Sequence, residues 1–173
     1  MKILKFVFVL GIASALPSIL FAAGQENSGK ANGKDAAFIK KAADGGMAEV
    51  ELGRVATQNG QRDDVKQFGK QMVSDHGRAN DNLKSVASKL NVTVPDKLST
   101  KHQTKLDKLS RTSGAAFDSA YITEMVADHE KDIAEFEKAR SEVSNEDLKK
   151  FIDETIPVMK EHLEMAKKMK TTK

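Results

Sequence analysis

Val65, Phe68, Met72, His76, Ala79, Leu83, Val86 and Leu90 follow one another in steps of three and four residues. Such spacing keeps them on one stripe of an α-helix, as the seam of a helical bundle requires. Three further stripes share the period. They are Phe38, Ala42, Gly45, Glu49, Leu52, Ala56; then Phe117, Tyr121, Met125, His129, Ile133, Phe136, Arg140; and last Leu148, Phe151, Thr155, Met159, His162, Ala166, Met169. No such helix buries its apolar face alone, so four together predict an all-α bundle. Composition points the same way, with 5% aromatic residues and no Trp in 173 residues, which favours helices over sheets.

The helices are expected over about 35–59, 63–90 and 114–143, with a last one running to about 170 after the turn and start signal Ser144-Asn145-Glu146-Asp147, and with Asp35 as the first cap and Gly60 as the first stop. Pro157 lies inside the last and is expected to kink it one turn before His162. Two connections are short. The third, Asn91 to Thr112, is about 22 residues long, more than an up-down-up-down bundle needs. Leu98, Leu106 and Leu109 give it a short amphipathic helix, with His102 read as a surface residue among Lys101, Gln103 and Lys105. Two helical hairpins joined by a long crossover is the connectivity of ferritin-like bundles.

The first 23 residues read as a signal peptide: Lys2 and Lys5, an apolar run from Phe6 to Leu16, Pro17, then Ala22, Ala23 and Gly24. The run is too short for a span of about 20 residues, so no transmembrane segment is expected after cleavage. Residues 24–34 read as a disordered linker and 35–170 as the bundle. Removing the leader leaves 26 basic against 25 acidic residues. No basic patch interleaved with aromatics is present, so nucleic acid is not an expected partner. The expected location is the periplasm, with association to the outer membrane as an option. Charged helix faces of mixed sign suit a monomer. The chain has no cysteine, which removes disulfides, thiolate metal sites and cysteine catalysis.

Each stripe carries one polar residue near its middle: Glu49, His76, His129 and His162. Mid-helix residues reach one layer whichever way each helix runs, so these four are expected to meet. Two readings follow. In one, they hold a single transition metal, zinc, copper or iron, through three imidazoles and a carboxylate. In the other, they form a buried hydrogen-bond network that fixes helix register in a structural or interaction protein. A metal-dependent oxidoreductase is a weaker third, and an enzyme is less expected than not. Met72, Met125 and Met159 precede the histidines by four or three residues; thioethers suit Cu(I), although Met on a seam is ordinary core. Asp75 and Asp128 adjoin histidines but sit about 100° around the helix, placing them behind the ligands or on a neighbouring helix. Glu-x-x-His is absent, so a di-iron centre is not expected. Gly45-Gly46 offers close approach or room beside Glu49, or else a local kink, and Tyr121 lies two turns before His129. Without a metal, the histidines are expected to titrate near about 6.5 and loosen the bundle in acid.

Met72-Val73-Ser74-Asp75-His76 and Met125-Val126-Ala127-Asp128-His129 are one pentapeptide with a single change. This is read as two parallel neighbouring strips in one environment and not as hairpin duplication, which would pair other helices. The pentapeptide, the run Gly45 to Gly53, Phe117 to Tyr121, His129, and Pro157 followed by His162 together resemble the uncharacterised bacterial family DUF4142, a domain of unknown function. The resemblance covers about residues 34–168. It implies a ferritin-like fold, an exported protein often labelled outer-membrane and linked to stress, and recurring Glu and His at the four central positions. It carries no established activity or metal.

Overall fold

The computed structural model describes residues 30–171. The proposed signal peptide and most of the proposed linker therefore lie outside the described residues. Five helices follow in order: α1 Gly33–Asn59, α2 Asp63–Lys89, α3 Thr100–Ser110, α4 Gly114–Glu142 and α5 Glu146–Thr171. There are four long helices and one short one in the crossover. None of the described helices is long and apolar enough to cross a membrane.

Helix α1 starts two residues earlier than expected, at a different cap. The Asn32 side chain accepts from the backbone of Lys34 and Asp35, and Asp35 answers as the reciprocal partner of a capping box. Gly60 ends α1 as expected. Helix α5 continues through Pro157, which has no N–H to give to the preceding turn.

Contacts at the helix ends fix the topology. Asp118, near the start of α4, accepts from the backbone N–H of Gln61 and Arg62 in the α1–α2 loop, both at 2.9 Å. Asp35, near the start of α1, accepts from the N–H and hydroxyl of Ser144 in the α4–α5 loop, both at 2.9 Å. Arg62 reaches the carbonyl of Met169 at 3.1 Å, and Lys89 pairs with Asp147 at 2.9 Å. Thus α4 begins where α2 begins, and α5 runs antiparallel to α2. Among the four long helices, the closest packing is within the α1–α2 and α4–α5 hairpins, followed by α2 on α5 and α1 on α4. That order around the axis puts α2 and α4 on a diagonal. The pentapeptide strips are parallel, as expected, but they face each other across the centre and are not neighbours.

The clamps expose a repeat that the pentapeptide concealed. Asp35 and Asp118 are 83 positions apart, as are the loop residues they hold, at 61 and 144. At the same shift, Asp64-Val65-Lys66-x-Phe68 matches Asp147-Leu148-Lys149-x-Phe151, and Asp35-Ala36-Ala37-Phe38 matches Asp118-Ser119-Ala120-Tyr121. The two hairpins are equivalent units, each locking the other's turn.

Two apolar clusters fill the bundle. One holds Val65, Phe68, Leu109, Phe117, Tyr121 and Met169; the other holds Ile39, Leu83, Leu90, Val143, Leu148 and Phe151. Along α1 and α2, Glu49 and His76 fall at the boundary between them.

A candidate metal centre of three histidines

His76, His129 and His162 come from α2, α4 and α5 and are 8%, 2% and 0% exposed. Their ring centroids lie 5.3–5.8 Å apart. One nitrogen from each ring lies within 4.8 Å of the others. Four-coordinate zinc with bonds near 2.1 Å would place donors about 3.4 Å apart, so each ring would move inward by less than about 1 Å. The layer expected from mid-helix placement therefore forms, at least for its three imidazoles.

Two of the three tautomers are set from behind. His129 Nδ1 lies 2.9 Å from the carbonyl oxygen of Met125, one turn earlier on its own helix. Since a carbonyl only accepts, Nδ1 carries the proton and Nε2 keeps its lone pair. His162 Nε2 lies 2.9 Å from Asp75 Oδ2; donating that proton leaves Nδ1 as the free lone pair. Asp75 also pairs with Arg78. Placing Asp75 behind a ligand from a neighbouring helix was one of the roles expected for it. Within the triad, three buried ring nitrogens have no hydrogen-bond partner: His76 Nε2, His129 Nε2 and His162 Nδ1. A carbonyl or carboxylate behind a histidine is the usual support of a metal-binding imidazole.

Burial also prepares the charge state. It pushes His76 well below the ordinary 6.5, with repulsion from His129 and His162 adding to it. His129 falls to about 4, again through burial first and His162 second, against the opposing bond to Met125. The expected titration near 6.5 therefore does not hold for these two rings. They stay neutral, the form that ligates a metal.

Glu49 is buried at 4% exposure, yet it stands outside the three-histidine group. Its Oε2 has no partner, and neither does the Tyr121 hydroxyl. Burial pushes its carboxyl well above the ordinary 4.5, and the charges of Asp128 and Asp132 push further. Met72, Met125 and Met159 are all buried within one apolar cluster.

Several features were not legible beforehand. His102 is not a free surface residue: its side chain is 20% exposed, with Nδ1 3.0 Å from Asp44 Oδ2. Lys105 of α3 holds both Asp128 oxygens at 2.6 Å and also pairs with Glu124, tying the crossover helix to α4. Asp128 thus faces α3 and not a histidine. On α1, Ile39 and Ala43 enter the core, while Phe38, Ala42 and Gly45 line a cavity of about 490 Å3 that ends at Glu49 and His76.

No curated protein matches this chain. A solved structure, a DUF305 fragment from Deinococcus radiodurans, superposes with a TM-score of 0.72 over 81% of this chain and 97% of that one, at 8% identity. At that identity the likeness speaks of the helical fold alone. The DUF4142 family, a domain of unknown function, matches residues 20–169, and the chain belongs to it.

Proposed function

We propose that this protein is an exported metal-binding bundle that holds one borderline transition ion, such as zinc, copper or iron, on His76, His129 and His162. The observation that carries this reading is a set of three buried imidazoles that each keep an unpartnered nitrogen and that bring one nitrogen apiece within 4.8 Å of the others. A buried polar atom with no partner costs about 1–3 kcal/mol. A pure hydrogen-bond network would have satisfied these atoms among themselves; a shared cation satisfies all three at once. Imidazole donors fit that class of metal.

Glu49 is not assigned as the fourth ligand. A ligating carboxylate must be ionised, whereas the surroundings of Glu49 favour its neutral form. The three methionines are assigned to packing. The charged, apolar and small-residue start of the chain supports export to the periplasm, and a holding role in envelope stress follows the character of the family.

Cobalt(II) gives a direct test, because its visible spectrum reports coordination. Added to metal-free protein, it should give saturable visible bands at about one ion per chain, as expected of a preformed site. His129→Ala and His162→Ala should abolish those bands, while Glu49→Gln should retain them. Saturation by both histidine variants would refute the assignment.

A further inference from the structure

The cavity ending at Glu49 and His76 is not explained by the metal. Only His76 of the triad lines it. Its wall carries Phe38 and Ala42 from α1, Phe136 from α4 and Phe151 from α5. At about 490 Å3, it falls within the range that encloses small organic ligands, roughly 300–1,000 Å3. Glu49 at the inner end is 4% exposed and has an unpartnered oxygen. Of the other lining groups, His102 faces Asp44 and His76 keeps an unpartnered nitrogen of its own, so the apolar part of the wall meets two unsatisfied polar groups, Glu49 and His76, the pattern of an amphiphile site.

Two further observations narrow the ligand. Around the cavity, Lys41 pairs with Glu135 at 2.9 Å, Lys131 with Asp132 at 3.1 Å and Lys138 with Glu142 at 3.9 Å. Lys34 and Lys101, which also line the cavity, are exposed to solvent, so water screens them and, among the described residues, no unpaired cation stands at the buried Glu49 side to select an anion. Gly45 and Gly46 also sit inside α1, where glycine weakens a helix. A Cβ built on Gly45 would meet nothing within 4 Å, so the missing side chain leaves space and not contact.

We propose that this cavity binds a neutral small molecule with an aromatic or aliphatic body and one hydroxyl head, such as a phenol. Its head meets the Glu49 carboxyl and its body lies against Phe38, Phe136 and Phe151. The site does not depend on the metal assignment.

Ligand-observed NMR on metal-free protein tests this with 4-ethylphenol, ethylbenzene and 4-ethylbenzoate. Saturable binding of 4-ethylphenol is expected, about tenfold or more tighter than that of the other two, a factor worth about 1.4 kcal/mol. Gly45→Leu should abolish that binding while taking up cobalt like the parent, which also shows that the variant folds. No saturable phenol binding, equal binding of the benzoate, or full binding by a folded Gly45→Leu would overturn the proposal. Should that variant not fold, the Ala42 and Met159 methyl signals of the parent decide. Shifts there on adding 4-ethylphenol support the site, and shifts confined elsewhere sink it. Because metal is absent throughout, failure here leaves the three-histidine site standing, and failure of cobalt binding leaves this cavity standing.

Discussion

The two hairpins share a scaffold and differ in what it carries. At the 83-residue shift, the buried aspartates, the clamped loops and the Asp-[Val/Leu]-Lys-x-Phe helix starts coincide. The central residues do not. His76 corresponds to Met159, His129 to Gly46, His162 to Ala79 and Glu49 to Asp132. Three histidines thus oppose a methionine, a glycine and an alanine, so an equivalent framework surrounds an unsymmetrical site. Bundle stability resides in the repeated ends, whereas the chemistry resides in the residues that break the repeat. The hairpins also close differently. A Cβ on Gly53 would lie 2.7 Å from the Gly69 carbonyl, and one on Gly69 would lie 2.7 Å from the Gly53 carbonyl. The corresponding positions of the second hairpin hold Phe136 and Ile152.

The largest expected effect tests the equivalence itself. Asp35→Ala and Asp118→Ala each leave two donors of the opposite hairpin's turn unpaired, at a cost of about 2–4 kcal/mol each, and Asp35→Ala also loses its long 3.4 Å capping-box contact to Asn32. Chemical denaturation should give losses matching within about 1 kcal/mol, the usual scatter of such terms. A large loss for one and none for the other would break the comparison. Next comes the difference in closure. Gly53→Ala should destabilise by about 1–3 kcal/mol, because backbone stands where the methyl would go. Gly45→Ala, with open space around it, should instead stabilise by about 1 kcal/mol through helix propensity. Equal effects from the two would remove the argument for close approach.

A smaller, graded effect concerns pH. His76 and His129 are held below 6.5 in the fold, and Glu49 is held above 4.5. Below about 6.5 the unfolded chain protonates both histidines while the fold keeps them neutral down to their lowered pKa, so their contribution to metal-free stability rises with pH and levels off above about 6.5. Glu49 acts in the opposite sense: the fold holds its proton where the unfolded chain has lost it, so its contribution falls as pH rises from about 4.5 through its raised pKa. Urea titrations from pH 5 to 8 should therefore show stability rising more steeply in Glu49→Gln than in the parent. Equal slopes in the two would contradict the protonated Glu49.

Much of this was legible in the sequence because amphipathic helices announce themselves by period. The four stripes, the crossover helix and the convergence of His76, His129 and His162 all follow from steps of three and four. What escaped has physical reasons. Asn32 sits in a polar Gly-rich stretch, where a cap and a linker use the same residues. Phe38 and Ala42 pack against the core as read and also line the cavity, which escaped because a cavity wall and a packed core are equally apolar. His102 is flanked by lysine and glutamine, and only folding brings Asp44 to it. The pentapeptide drew attention to α2 and α4, which occupy a diagonal, while the true repeat is confined to helix starts and turns. Glu49 shares the histidines' periodicity and burial but stands outside their group, because period fixes the helix face and not the distance between side-chain atoms.

The most direct measurement is the metal content of untagged protein after dialysis against zinc, copper(II) and iron(II) in turn, alongside His76→Met, which places the repeat's own methionine at the site. The parent should retain about one equivalent of at least one of these metals and His76→Met should retain almost none, since each ligand of a preformed site is needed for tight binding. Less than about a tenth of an equivalent of every metal in the parent, or equal retention by His76→Met, would contradict a three-histidine centre.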